Sequence, residues 1–248
     1  LEKAAFERPF SFLVRGNRGA AYAAGPTDSA EISPMSIAAF APFEALAEHL
    51  LPHATDGTSD GSHDQSHLLR VWKNATAIHD EEGGDREILA AATILHDCVA
   101  IEKNSPHRAQ ASRLAAEKAS KLLADIGWQS SRVAATAHAI EAHSFSANIP
   151  PRTLEAKILQ DADRLDAIGM VGAARCFYIA GRMGSGLYDP LDPMAIDRNL
   201  DDKSFAIDHF EVKLFKLTAG FNTVRGAQIA KVRQERLRRF LGEFLDEI

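Results

Sequence analysis

Apolar side chains recur along most of the chain at intervals of three and four residues, the spacing that places them on one face of an α-helix. In residues 63–79 this face is formed by Leu68, Val71, Trp72, Ala75 and Ile78. Alternating apolar and polar runs, which would predict strands, are almost absent. The pattern therefore predicts an all-α fold, a single bundle of roughly eight to ten helices. Helices are expected at 41–51, 63–79, 86–96, 105–126, 130–143, 153–169 with a continuation to about 182, 202–217 and 225–248.

The first 34 residues lack this patterning. They are rich in Gly, Ala, Ser and Pro and begin without a methionine, whereas a clear amphipathic stretch follows Met35. The length of 248 residues and the hydrophobic content of 46% allow one large domain with its own core. We therefore expect residues 1–34 to be an upstream or cloning-derived extension, loosely attached to a helical domain that spans 35–248.

Net charge and cysteine content indicate which cellular compartment and which binding partners to expect. The net charge of −6 gives no electrostatic reason to expect binding to nucleic acid or to an anionic membrane. The basic segment "KVRQERLRRF" also carries an apolar face, so its charges are expected on a solvated helix surface. No run of 18 apolar residues is present, and the two cysteines, Cys98 and Cys176, fit a reducing compartment. These features predict a cytoplasmic protein with no membrane or nucleic-acid partner.

Histidine and aspartate side chains interrupt several of the apolar helix patterns. The adjacent pair His96-Asp97 ends the segment 86–96, which is apolar on most sides and is therefore predicted to be central. Neighbouring residues on a regular helix point about 100° apart, so both can reach one ion only where the helix ends. Nitrogen and oxygen donors without a Cys-x-x-Cys pair suit Mn, Mg, Ni, Co, Fe or Zn ions, and argue against a structural thiolate zinc site.

The order His67, His96-Asp97 and Asp163 resembles the H…HD…D signature of the HD-domain metal-dependent phosphohydrolases. The resemblance covers about residues 60–215. Within the family, the sequence is similar to a bacterial branch of uncharacterised or nucleotide-hydrolysing members. It includes the stretches "HDQSHLLRVW", "LHDCVAIEKNSPHR", "AIEAHSFSA", "ILQDADRLDAIGMVGAAR" and "LDDKSFAIDHF". It implies an all-α fold, with His67, His96, Asp97 and Asp163 as the ligands of one divalent metal ion.

The same resemblance implies hydrolysis of a phosphate ester or anhydride of a small metabolite, with a nucleotide as the leading substrate. Attack would come from a hydroxide formed on the metal ion. Asp97 is assigned to catalysis as well as to ligation. Asp64 is expected either to orient a ligand histidine or the attacking water, or only to interact with the dipole at a helix N-terminus. His143 has three alternative roles: it donates to a substrate phosphate, acts as a general acid, or binds a second metal ion.

Three polar residues after the HD pair are predicted to contact the substrate. Lys103, Asn104 and His107 lead into an expected helix start, and positive donors beside a helix N-terminus suit a phosphate group. By contrast, His63 is expected to be solvated and His138 to be structural. Asp161 and Asp166 are expected to be surface carboxylates or partners of Arg164 or Arg175.

Two other functions stay open at this point. A di-iron oxygenase would require His138 or His143 as additional ligands of a second ion. A non-catalytic sensor would keep the metal ion and bind nucleotide without cleaving it. The sequence also leaves a homodimer open.

Overall fold

The computed structural model describes residues 34–55, 65–99, 101, 110–144 and 147–248. These residues form ten α-helices and no strand, with a single isolated bridge between Gly186 and Phe205. The predicted all-α class is therefore confirmed. The helices are α1 (Pro34–Ala38), α2 (Glu44–Leu50), α3 (Gln65–Glu82), α4 (Arg86–Leu95), α5 (Ala111–Asp125), α6 (Ser130–His143), α7 (Leu154–Asp166), α8 (Gly169–Met183), α9 (Asp208–Val212) and α10 (Val224–Leu245).

Helix α4 lies at the centre of the bundle, as its sequence predicted. Every residue from Ile88 to Leu95 is buried, and the helix packs against α2, α3, α6 and α7. Its start is defined by Asp85, whose side chain accepts hydrogen bonds from the backbone N–H groups of Glu87 and Ile88. Because α4 has no solvated face, the residues at its carboxyl end are brought directly into the interior of the domain.

Helices α3, α6 and α7 surround α4. The buried face of α3 contains the predicted Leu68, Val71, Trp72, Ala75 and Ile78. Helix α6 follows the predicted bounds, and α7 begins after Thr153, whose side chain accepts a hydrogen bond from the N–H of Ala156. The first turn of α3 and the last turns of α6 and α7 lie at the carboxyl end of α4.

Two segments differ from the predicted helix pattern. The expected continuous helix through residue 169 ends at Asp166, and α8 starts separately at Gly169, which has a φ of +74°. A positive φ suits glycine and reorients the chain between α7 and α8. The expected helix at 202–217 is only α9 followed by the 3₁₀ helix Leu214–Thr218.

The described residues belong to one compact unit, which spans Ile32–Ile248. The predicted extension at residues 1–34 falls almost entirely outside the described part of the chain, and its boundary stays a prediction. None of the described helices is long and apolar enough to cross a membrane.

Candidate metal centre

Four helices bring His67, His96, Asp97, Asp163 and His143 together. His67 lies in the first turn of α3, and His143 is the last residue of α6. His96 and Asp97 follow α4 in a turn, and Asp163 lies in the second half of α7. The end of α4 is thus the place where two adjacent side chains can face one centre.

Nitrogen and oxygen atoms of these side chains converge at distances longer than ordinary hydrogen bonds. The Nε2 atoms of His67 and His96 are 3.3 Å apart. His67 Nε2 lies 3.5 Å from Asp163 Oδ1 and 3.7 Å from Asp97 Oδ2, and His96 Nε2 lies 3.5 Å from Asp97 Oδ2. The atoms form two overlapping groups that could hold a metal ion, His67–His96–Asp163 and His96–Asp97–His143.

Hydrogen bonds at the opposite ring nitrogens determine which atom of each histidine faces this centre. The Nδ1 of His96 is 2.7 Å from the carbonyl oxygen of Thr93, and the Nδ1 of His143 is 2.6 Å from that of Ile140. A carbonyl oxygen can only accept, so both Nδ1 atoms carry a proton. In their neutral forms, both rings therefore direct an Nε2 lone pair inward.

His67 has a carboxylate at the same position. Its Nδ1 donates to Asp166 Oδ2 over 2.8 Å, and Asp166 is almost fully buried. The Asp166 carboxylate also accepts from Arg70 Nε at 2.6 Å, Arg70 Nη2 at 3.0 Å and Arg175 Nη1 at 2.7 Å. Burial opposes ionisation of Asp166, but the hydrogen bonds from His67 and Arg70 hold its pKa well below the usual range.

The pKa values of two histidines shift in opposite directions. Burial lowers the pKa of His96; the negative charge of Asp97 opposes this shift, and the nearby His143 and His67 add to it. For His143, burial alone would lower the pKa, but the nearby carboxylate of Asp97 raises it above its ordinary value. His143 Nε2 lies 3.6 Å from Asp97 Oδ1, which is the contact responsible. The cluster thus contains imidazoles of different proton affinity around one carboxylate.

The donor set fits a divalent cation. The facing Nε2 atoms of His67 and His96 are both acceptors in the neutral rings, and two carboxylates point at the same space. Such a group is stable when a cation lies among the donors, because like partial charges otherwise face one another in a buried site. Imidazole and carboxylate together suit Mn, Fe, Co, Ni, Zn or Mg ions.

Five of the predicted residues are outside the described part of the chain: His63, Asp64, Lys103, Asn104 and His107. Their assigned roles stay predictions. His138 is described, and it does not belong to either donor group. Its Nε2 accepts a hydrogen bond of 2.9 Å from the backbone N–H of Arg152.

Of the two alternatives expected for Asp161 and Asp166, a surface position was wrong for both, and pairing with an arginine was right for Asp166. Asp161 is fully buried and accepts hydrogen bonds from the backbone N–H groups of Asn222 and Thr223, just before α10. Asp166 does pair with Arg175, one of the two suggested partners, but it also binds His67. The three-residue spacing of Asp163 and Asp166, which places both on one face of α7, was the available signal.

The fold and this donor cluster together define an HD domain. The HD domain model matches residues 65–168, a range that starts two residues before His67 and includes Asp163 and Asp166. The chain belongs to the HD-domain family, and its fold is that of the HD-superfamily hydrolases.

Several relatives support this assignment. The uncharacterised protein YpgQ of Bacillus subtilis is 31% identical over 198 residues, which cover 78% of this chain and 87% of YpgQ. A crystal structure of YpgQ in complex with ADP has a TM-score of 0.65 at 29% identity, covering 82% of this chain and 95% of that chain. An HD-superfamily hydrolase from Bacillus thuringiensis has a TM-score of 0.63 at 32% identity, with coverage of 82% and 96%.

Proposed function

We propose that this protein is a divalent-metal-dependent phosphohydrolase that cleaves a phosphate ester or anhydride of a small metabolite, with a nucleotide as the substrate class. The single observation that carries the proposal is the close approach of His67 to His96, Asp97 and Asp163, and of His96 to Asp97. The crystal structure of the relative YpgQ in complex with ADP supports a nucleotide as the ligand.

The four converging side chains would hold the ion, with His67 and His96 binding through Nε2. When bound, a divalent ion polarises a phosphoryl oxygen and lowers the pKa of a water molecule, which supplies a nucleophile near neutral pH. The neighbouring His143 would donate a proton to a phosphate oxygen of the substrate. Its Nδ1 bond to Ile140 holds the ring so that Nε2 is the atom available for this step.

The remaining roles concern substrate binding. Lys103, Asn104 and His107 are proposed to contact the phosphate groups, because they lie a few residues after the HD pair and lead into an expected helix start. Asp64 is proposed to orient a ligand or the attacking water. Cations and amide donors of this kind neutralise the charge that develops on a transferring phosphoryl group.

A substrate screen tests the proposal directly. Release of phosphate and of pyrophosphate would be measured from nucleoside mono-, di- and triphosphates and from sugar phosphates, each with Mn²⁺, Co²⁺, Ni²⁺ or Mg²⁺. The Asp97→Ala protein is the blank, and we expect it to lose both the bound metal and turnover. The matched control is His138→Ala, which removes a nearby imidazole that is tied to Arg152 and should retain turnover.

The outcomes separate the alternatives. Full turnover by the Asp97→Ala protein would contradict the proposed metal-dependent reaction. Tight nucleotide binding without release of phosphate or pyrophosphate, across all four ions, would instead identify a non-catalytic sensor.

One observation favours a second candidate, a di-iron oxygenase. His143 forms a second donor group with His96 and Asp97, and this group shares residues with the first. Two ions held in this way would permit oxygen chemistry as well as two-metal hydrolysis. Metal content per protein chain, measured for wild type, His143→Ala and His138→Ala, distinguishes one ion from two. Oxygen consumption by the iron-loaded protein then distinguishes an oxygenase from a hydrolase.

A further inference from the structure

We propose that Asp166 is a positioning residue for the metal centre: held in place by Arg70 and Arg175, it sets the tautomer and orientation of His67 and thereby the affinity for the ion. This inference rests on the metal-binding part of the proposed function and is independent of the substrate. Asp166 does not face the centre itself; it lies behind His67, at the opposite ring nitrogen.

Helix α7 reaches both sides of the His67 ring. Asp163 Oδ1 lies 3.5 Å from Nε2, and Asp166 Oδ2 lies 2.8 Å from Nδ1. The two carboxylates are three residues apart and therefore share one face of the helix. An ionised carboxylate only accepts, so Asp166 requires the proton of His67 to be on Nδ1. The Nε2 lone pair is then directed towards Asp163 and the other donors.

The other two histidines of the cluster achieve the same orientation differently. His96 and His143 donate from Nδ1 to the carbonyl oxygens of Thr93 and Ile140, each three residues earlier in its own helical segment. Those acceptors belong to the backbone and form together with the helix end. His67 lies in the first turn of its helix, and its acceptor comes from another helix, 99 residues away in the sequence. His67 is therefore the histidine whose orientation depends on a side chain.

The two arginines keep that acceptor ionised and immobile. Arg70 donates to both oxygens of Asp166, and Arg175 donates to Oδ2. Arg70 is one turn after His67 on α3, whereas Arg175 is on α8. Asp166 thus links three helices directly behind one ligand. A carboxylate held at so many points cannot turn away from His67 without breaking charge-assisted hydrogen bonds.

The chain offers a matched control in Asp208. This aspartate is also almost fully buried, and Arg198 donates to both of its oxygens at 2.6 and 2.9 Å. Asp208 contacts no residue of either donor group. Asp166→Ala and Asp208→Ala therefore both remove a buried, arginine-bound carboxylate, but only the first removes the acceptor of a ligand histidine.

The test measures binding of Mn²⁺ alone to the metal-free full chain by titration calorimetry. We expect Asp166→Ala to lose roughly 10–100-fold in affinity, the usual effect of removing the partner of a ligand histidine, and Asp208→Ala to change by less than about twofold. An Asp166→Ala protein that is folded and binds Mn²⁺ as tightly as wild type would overturn the proposal. An equal loss in Asp208→Ala would overturn it too, because the effect would then be general destabilisation.

A spectroscopic measurement on the wild type does not depend on whether the variant folds. Histidine ¹⁵N spectra of the metal-free protein, recorded at a pH where the imidazoles are neutral, report which ring nitrogen carries the proton. The His67 signals are assigned by their loss in His67→Gln. We expect a proton on Nδ1 and none on Nε2; a dominant Nε2–H form would contradict the inference. Neither readout uses substrate, so a failed phosphohydrolase assay leaves both results interpretable.

Discussion

The candidate metal centre and the Arg198–Asp208 network are both built from buried or half-buried charged groups, yet their contacts differ. At the metal centre, acceptor atoms face one another at 3.3 to 3.7 Å. In the second network each oxygen of Asp208 accepts from a guanidinium nitrogen at 2.6 or 2.9 Å, and the N–H of Asp201 adds a bond of 2.7 Å. The candidate metal centre thus brings acceptor atoms close to one another, whereas in the Arg198–Asp208 network each carboxylate oxygen has a hydrogen-bond donor.

This difference indicates what each region does. A matched network stabilises the fold and organises the long segment between α8 and α9, where Arg198 also binds Asp189. A cluster of facing acceptors lowers stability unless a cation binds among them, so we infer that this cluster serves cation binding. Asp166 combines features of both regions, since it accepts hydrogen bonds from arginines and also from His67, a residue of the candidate metal centre.

The largest effect is expected from Asp163→Ala. Removing this carboxylate takes away a proposed ligand, so the affinity for Mn²⁺ should fall by more than about a hundredfold, beyond the loss typical of an indirect partner. The metal-free protein should keep its thermal unfolding midpoint, because without a cation the facing acceptors repel one another and removing one of them costs no stability. Calorimetric titration and thermal unfolding of the same sample check both statements. If Asp163→Ala unfolds the metal-free protein, the centre is a stabilising network and the contrast with Asp208 fails.

Asp208→Ala should show the reverse behaviour. It removes the buried carboxylate that accepts two hydrogen bonds from Arg198 and one from the N–H of Asp201, which we expect to lower the free energy of unfolding by more than about 1 kcal/mol. Urea denaturation measures this loss, and Mn²⁺ titration should show little change. A loss below about 1 kcal/mol would mean that this pair contributes no more than an exposed ion pair.

A third carboxylate, Asp161, is tested through its close neighbour Gly226. A Cβ atom at Gly226 would lie 2.6 Å from Thr223 Oγ1 and 2.7 Å from Asp161 Oδ2. Gly226→Ala should therefore lower the free energy of unfolding by about 1–3 kcal/mol, since the start of α10 must shift. The measurement is again urea denaturation. Unchanged stability would show that this buried cap tolerates displacement, unlike the Asp208 network.

The smallest effect is expected at the other end of the same helix. Gly242 is exposed in α10, and a Cβ there would meet no atom within 4 Å. Gly242→Ala should raise the free energy of unfolding by about 0.5–1 kcal/mol, because alanine loses less conformational freedom than glycine in a helix. The variant serves as the reference for Gly226→Ala, and a destabilised Gly242→Ala would contradict the assigned steric cause.

Local sequence patterns predicted much of the helical architecture. The bounds of α6 agree with the predicted 130–143, and α4 begins at the predicted residue and is central. The pattern did not reveal the break between α7 and α8, because Ala167 and Ile168 are compatible with a helix and the chain is redirected by Gly169. It also overestimated the helix at 202–217.

The candidate site shows the same division. The order of His67, His96, Asp97 and Asp163 matches the H…HD…D signature, and this resemblance was sufficient to group them. The roles of Asp161 and Asp166 could not be assigned in this way. Both look like solvated carboxylates on an amphipathic helix, and the groups that bury them, Asn222 and Arg70, are 61 and 96 residues away.

The sequence by itself therefore determined the helical class and the order of the helices, because helix periodicity and helix ends are local properties. The candidate donors were proposed from the resemblance of their order to the H…HD…D signature. Only the tertiary structure decided which carboxylates face the candidate metal centre, which one lies behind His67 and which ones bind other parts of the fold. That choice depends on partners from distant segments. Burying an unpaired charge is costly, so each buried aspartate needs a partner: a cation, an arginine side chain or the backbone N–H groups at a helix start.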